Sequence, residues 1–447
     1  MEQNGSFLNL GAINAHLRRS MFVKFCMIGV ILLVCQIPML MISALTRNRQ
    51  GLSASVEAEV ASKWGGTQLI TGPLLAIPVH RQVVRYGKDG SSQVSQKNSM
   101  LFVVPENLKM TGKLEPEIRY RGIYEVVLYR SSLQIEGIFS KNIPIPEGWT
   151  PEYASSRIYI GISDMIGLSD LRIESDCSTN QALPGINTDN APFKSGITIP
   201  LQIQADGNIP SNQIRFQASF SLNGCKQLQM TPLGKSSTLE LSSPWSTPSF
   251  DGAFLPAERT IDASGFRAKW QISEFNRNIS QEWIDDTQSK YSISTYSAGV
   301  SLIKSADVYA QVIRAATYSI LIFLIVLMGF LIAERLTKVW MHPLQYILAA
   351  LSLVLFYALA LAFSEHIAFS AAYWLSVAII TGLCVFYSAL IFRKRGAVVG
   401  MGSAIVSSYA MIFVLLRLED YALLAGALVM VVLLGILMGM TGRLNQE

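Results

Sequence analysis

At 447 residues the chain has room for more than one domain, and a mean hydropathy of +0.35 with only 15% charged residues excludes a wholly soluble protein of ordinary composition. The net charge of +5 comes from side chains gathered in short joints between apolar runs. No long basic tract interleaved with aromatics exists, which excludes a nucleic-acid-binding surface of the usual kind; orientation in a membrane is the better reason for the basic excess.

Residues 1–24 are polar, carry His16, Arg18, Arg19 and Lys24, and read as a cytoplasmic N-terminus. Phe25–Leu45 follows as 21 residues without a charge, the length a helix needs to cross a bilayer. Gln36 and Pro38 are tolerable inside such a helix. Ile42-Ser43-Ala44 matches a signal-peptide cleavage site poorly, so the run at 25–45 reads as an uncleaved anchor.

Residues 46–311 then interrupt the membrane character, because no apolar run among them is long enough to span. Ser53–Lys63, with Val56 and Val60 among small residues, fits a helix leaving the membrane, and from Trp64 onward the period changes to two. Ile158, Ile160 and Ile162 alternate with Tyr159 and Gly161, and Ile197, Ile199, Leu201 and Ile203 alternate with polar residues and Pro200. Ile214 to Leu222 and Phe266 to Ile272 repeat the pattern. Successive side chains of a half-buried strand face opposite ways, which produces this alternation. Turn clusters at Gly87–Gly90, Asp206–Asn208 and Leu222–Gly224 separate the runs. The expectation is one large periplasmic all-β domain, an antiparallel sheet or sandwich, with Cys177–Ser195 as an exposed loop.

Residues 312–447 return to the membrane, with spans expected at Ala315–Ala333, Tyr346–Phe363, Ala371–Phe392, Val398–Leu416 and Tyr421–Met440. With the first run, the fold class is a bundle of six transmembrane helices plus the β-domain. Arg335 and Lys338, then Arg393, Lys394 and Arg395, then Arg443, fall in the joints that alternation places beside the N-terminus. Lys and Arg are retained on the cytoplasmic side, so both termini are expected in the cytoplasm and the large domain outside. Trp340, Trp374, Tyr346 and Tyr373 stand near span ends, where interfacial aromatics are enriched.

Chemistry is sparsely signalled. His16, His80, His342 and His366 are the only histidines, and they form no HExxH or other ligand spacing, so no metal is expected. No GxSxG elbow or phosphate-binding glycine loop occurs, so neither a serine hydrolase nor a nucleotide-driven pump is signalled, and no catalytic residue or cofactor is assigned. Cys26, Cys35 and Cys384 fall in apolar runs, whereas Cys177 and Cys225 lie in the polar stretch and form a disulfide candidate for an oxidising compartment. Glu365, His366, Arg417, Glu419 and Asp420 occupy the two outward joints. They read as solvated helix ends, as a cluster docking the exported domain, or as the mouth of an ion path. Mid-membrane ionisable groups are nearly absent, which weakens a transporter reading.

Trp64-Gly65-Gly66-Thr67-Gln68, Gly72-Pro73-Leu74-Leu75, Arg121-Gly122-Ile123-Tyr124-Glu125-Val126, Pro244-Trp245 and His342-Pro343-Leu344-Gln345-Tyr346 resemble signatures of the inner membrane protein CreD family. Ser364-Glu365-His366-Ile367 and Glu419-Asp420-Tyr421 agree as well, so the resemblance runs along nearly the whole chain. Ile166 and Thr317 stand where the family is expected to carry Arg and Lys. The resemblance implies a Gram-negative inner-membrane protein linked to envelope integrity, colicin tolerance and two-component control, with no catalytic residues to carry over. The reading is a non-enzymatic binding or structural module whose partners are the bilayer and an envelope protein or periplasmic ligand. A transporter-like protein and a membrane-embedded enzyme are the alternatives.

Overall fold

The structure, a computed structural model, describes residues 21–86, 92–178, 181–186, 191–204, 213–285, 293–303 and 308–417, together with positions 426–428, 431, 435 and 438. The chain divides into two units: Ser53–Ser305, and a second formed by Met1–Leu52 with Ala306–Glu447.

In the first unit the alternating stretches become strands. They are β1 (Gln68–Tyr86), β2 (Ser92–Val103), β3 (Asn107–Arg121), β4 (Tyr124–Ser140), β5 (Thr150–Pro151), β6 (Arg157–Ile162), β7 (Leu168–Ser175) and β8 (Leu183–Pro184). There follow β9 (Gly196–Pro200), β10 (Gln213–Cys225), β11 (Gln227–Thr231), β12 (Ser236–Ser243), β13 (Pro248–Gly252), β14 (Glu258–Asp262), β15 (Gly265–Ser273), β16 (Glu282–Ile284) and β17 (Ala298–Leu302).

Two sheets result among the described residues. A ten-stranded sheet runs β13-β17-β11-β1-β6-β9-β8, with β2 and β5 also on β1 and β16 on β2. A seven-stranded sheet runs β14-β15-β12-β3-β4-β10-β7. Their facing side chains share one core, in which Ile70, Leu75 and Ile160 of the first sheet join Met110, Leu133, Phe216 and Trp270 of the second. Most neighbours are antiparallel as expected, but β1 runs parallel to β11 over Gln68–Thr71, and β3 runs parallel to β12 over Asn107–Lys113. Alternation has period two in either direction, so the sequence pattern does not distinguish these pairs. The Cys177–Ser195 stretch is not simply an exposed loop. It contributes β8, and it lays Ile186, Ala191 and Phe193 over Ala76, Phe102 and Tyr159.

The second unit is helical. α1 (Met21–Trp64) contributes its first part to this unit and its last part, from Ser53, to the β unit. It is followed by α2 (Val308–Thr317), α3 (Ser319–Thr337), α4 (Pro343–Ser364), α5 (Phe369–Phe392) and α6 (Arg395–Arg417). Five of the described helices are long and apolar enough to cross a membrane. Of the expected span Tyr421–Met440, only positions 426–428, 431, 435 and 438 are described, and each is helical; the rest lies outside the described residues. The expected span Ala315–Ala333 is divided at Tyr318, which falls between α2 and α3.

Packing among these helices is dense around Phe323, Phe330, Leu353, Phe356 and Ile405. With lipid outside, close packing and internal hydrogen bonds hold such a bundle more than water exclusion does. α4 begins where His342 and Gln345 cap it reciprocally: His342 Nδ1 accepts from the Leu344 N–H at 3.3 Å, and Gln345 Oε1 accepts from the His342 N–H at 2.8 Å. Pro343 fills the first position, where its missing N–H costs nothing. This part of the His342–Tyr346 signature is thus a helix start. Tyr346 and Tyr373 are both fully buried among the helices, so neither presents its ring outward.

Candidate functional site

The burial pattern of the seven-stranded sheet turns one face to the core and leaves the other polar. On that outer face the strand register aligns Thr238, Lys109, Glu136, Gln217 and Glu174 as one row across five strands. Two residues along, Ser236, Asn107, Ile138 and Arg215 form the next row, and the Arg215 N–H donates to Asp176 Oδ2 at 3.4 Å. These residues line an open hollow of about 480 Å³. Charges of both signs meet there, and no histidine or cysteine lines it. It can hold a polar partner by hydrogen bonds and ion pairs, but it offers no nucleophile joined to a base.

The other end of the same face is covered. Val126 and Leu128 of β4 and Cys225 of β10 lie beneath Val56, Val60, Ala61 and Trp64 of α1. The Arg119 guanidinium stacks 4.2 Å from the Trp64 ring centre, and Glu57 and Glu59 pair with Lys226 at 2.5 Å and Arg121 at 2.7 Å. Exposed pairs of this kind are largely screened by water and hold little, so the apolar contact carries most of the attachment. Gly65, at φ +137°, turns the chain out of the helix, and a Cβ there would lie 2.5 Å from the Asn223 carbonyl oxygen. The Gly66 N–H donates to Asp164 Oδ2 at 2.8 Å, and Gln68 Nε2 donates to the carbonyls of Asp164 and Asn223. The Trp64–Gln68 signature is therefore the lock between α1 and the sheets.

Cys177 and Cys225 are not a disulfide; both are free and buried. Asp176 hydrogen-bonds the carbonyl of Arg215 at one end of β10, whereas Cys225 ends that strand. Ten residues of strand separate the two levels, about 33 Å at the usual rise, far beyond the roughly 7 Å limit between bridged Cα atoms. Burial pushes the Cys225 thiol up to about 11 and also raises that of Cys177. Denatured, unreduced protein should therefore label at both positions, while native protein at pH 8 should label at neither. Protection of the pair after denaturation would restore the bridge.

In the helical unit, Glu365 ends α4, and Arg49 of α1 approaches its carboxylate at 3.5 Å. An acid at a helix C-terminus opposes the helix dipole, and the guanidinium offsets that cost. His366 is exposed. Arg417 lies 5.1 Å over the Phe413 ring, which packs at a tilt against Tyr373 and Trp374. Glu419 and Asp420 lie outside the described residues. Below this end, Phe356 contacts Tyr357, Tyr373 and Tyr409 at 4.2–5.2 Å between ring centres. The Tyr373 hydroxyl donates to the Tyr409 carbonyl at 2.7 Å, while the buried hydroxyls of Tyr357 and Tyr409 have no protein partner.

Sequence reasoning missed Glu334. It is buried in the last turn of α3, is ion-paired with Lys24 of α1, and accepts from the Tyr346 hydroxyl at 2.7 Å. A usable signal existed: a carboxylate at the end of an apolar run calls for a partner, and Lys24 stands at the end of the first run that alternation puts on the same side.

A protein-family profile described as Inner membrane protein CreD matches residues 20–447. The chain is 29% identical over 435 residues to the Inner membrane protein CreD of Escherichia coli (strain K12), covering 96% of this chain and 94% of that one. Among solved structures, an M1 zinc metallopeptidase from Deinococcus radiodurans bound to a Tyr-Ser-Ala substrate is matched at a TM-score of 0.19 and 10% identity, over 37% of this chain and 38% of that one. That likeness carries no argument.

Proposed function

The chain belongs to the inner membrane protein CreD family, and from that premise we propose that it is a non-enzymatic binding module of the cell envelope. Its β unit faces the periplasm and engages an envelope protein or periplasmic ligand through the hollow over Lys109, Glu136, Glu174, Arg215 and Gln217. The observation that carries this reading is the hollow itself: five adjacent strands present hydrogen-bonding and charged side chains of both signs on one open face. The basic joints at Arg335–Lys338 and Arg393–Arg395 support cytoplasmic termini. The described residues of the membrane unit contain two carboxylates, Glu334 and Glu365, and each is ion-paired. That supports a holding role for the Glu365 end of the bundle over proton or ion movement.

One substitution series tests both parts. A Gln217→Cys variant should react in intact cells with a maleimide that crosses the outer but not the inner membrane. A photoreactive residue at position 217 should capture a discrete set of partners that a photoreactive residue at exposed Arg259 does not. Labelling only after inner-membrane lysis would reverse the orientation, and equal capture from both positions would remove the hollow as the binding surface.

A further inference from the structure

At the joint between α5 and α6, Arg393 takes a left-handed conformation at φ 55°, as Lys338 does at φ 57° after α3; this stops α5, and α6 restarts at Arg395. Three consecutive cations, Arg393, Lys394 and Arg395, are thereby held together, all exposed, and none makes an ion pair among the described residues. The two arginines line a hollow of about 240 Å³ whose other walls are Ala389, Val398 and Val399. Its lining thus joins three apolar side chains to two cationic ones. No side-chain atom would meet a Cβ placed on Gly396 or Gly400, so the start of α6 stays thin beside it.

An apolar track leads to this hollow. Ile379, Leu383, Phe386 and Leu390 are all exposed on α5, the last two at 63% and 61%. Their spacing of four, three and four residues puts them on one helix face. α5 and α6 both have the length and composition of membrane spans, so lipid tails cover that face. At its end come the unpaired guanidiniums, at the depth where an interfacial anion sits.

We propose that this hollow is a site for an anionic phospholipid. The phosphate lies between Arg393 and Arg395, and one acyl chain lies along the Phe386–Leu390 face. Guanidinium suits phosphate because its planar donors can contact two oxygens at once. Basic pockets between membrane helices select anionic headgroups by this chemistry. Simple enrichment of basic residues on one side of the membrane explains the charge, but it does not require a hollow, an apolar track leading to it, or two arginines lining one recess.

The test is native mass spectrometry of the full-length protein in detergent, with phosphatidylglycerol and phosphatidylcholine of matched chains added as probes. Wild type should retain phosphatidylglycerol preferentially, and Arg393→Gln and Arg395→Gln should each weaken retention about fivefold, the effect of one basic side chain at a membrane surface. Lys338→Gln removes the same charge from the α3–α4 joint and should leave retention unchanged. Ala389→Trp fills the hollow without altering charge and should also lose the lipid, so the idea stays testable if an arginine variant does not fold. Equal weakening by Lys338→Gln would show diffuse charge attraction only and overturn the site. Full retention in Ala389→Trp would overturn the hollow. Displacement of the lipid by equimolar inorganic phosphate would make the site one for the free anion and overturn the lipid.

Discussion

Lys24→Met should destabilise the helical unit by about 3–5 kcal/mol, because removing one partner of a buried ion pair leaves the other charge without compensation. The stranded group is Glu334, 5% exposed, with only the Tyr346 hydroxyl left to it among the contacts described. Glu334→Met should cost less, because the Lys24 side chain it strands is 13% exposed and, near a helix end, can reach the headgroup layer. The double variant Lys24→Met with Glu334→Met should recover much of the loss, since replacing a whole buried pair by apolar groups of similar volume is often close to neutral. Thermal unfolding of the purified protein in detergent, run as a double-mutant cycle, measures the coupling. If the two single costs simply add in the double variant, the pair is not a unit and the helix ends are held by packing alone.

The second large effect is expected in the β unit. A Cβ at Gly224 would lie 2.3 Å from the Tyr129 hydroxyl oxygen and 2.4 Å from its Cζ. Tyr129 is fully buried in the main core, and its hydroxyl donates to the Gln227 carbonyl at 2.7 Å. The ring has nowhere to withdraw without breaking that bond. Gly224→Ala should therefore combine overpacking, about 1–3 kcal/mol, with a stranded carbonyl, about 1–3 kcal/mol. Tyr129→Phe alone should show only the second cost. The two together should cost less than their sum, because the closest clashing atom is then gone, although the ring carbon still crowds the site. Urea unfolding followed by tryptophan fluorescence reads all three variants. Wild-type stability in Gly224→Ala would mean that β4 and β10 part easily at this end, and that the lock between α1 and the sheets is looser than its contacts imply.

Much of this architecture was legible because burial imposes a period. Ile214 to Leu222 became β10, Phe266 to Ile272 became β15, and Ser53–Lys63 is the last part of α1. What stayed hidden depends on which elements meet. Thr238, Lys109, Glu136, Gln217 and Glu174 come from five separate strands, and nothing local to any of them announces a shared row. Lys24 and Glu334 are 310 positions apart. The cysteine pair failed for a related reason: compartment chemistry suggests that two thiols join, but strand length keeps them apart. The burial of Tyr346 and Tyr373 was not legible, because a position near a span end bears on depth and does not fix which side faces the neighbouring helices.

The insertion of the β unit between the two segments of the helical unit has a consequence for biosynthesis. At a ribosomal rate of ~5–20 residues per second, the stretch Ser53–Ser305 takes roughly 13–50 s to emerge. Throughout that interval the first span stands in the bilayer without the rest of its bundle. Lys24 then has no Glu334 to meet, and it must keep its ammonium in the headgroup layer, as a lysine near a helix end can. The α1 contacts with the sheets at Val56, Val60 and Trp64 involve chain made before α2, so the β unit can close on its helix while the later spans are still being synthesised. A nascent chain halted just after Ser305 should already protect Trp64 from solvent, yet leave Lys24 open to amine-reactive reagents until Glu334 has been inserted.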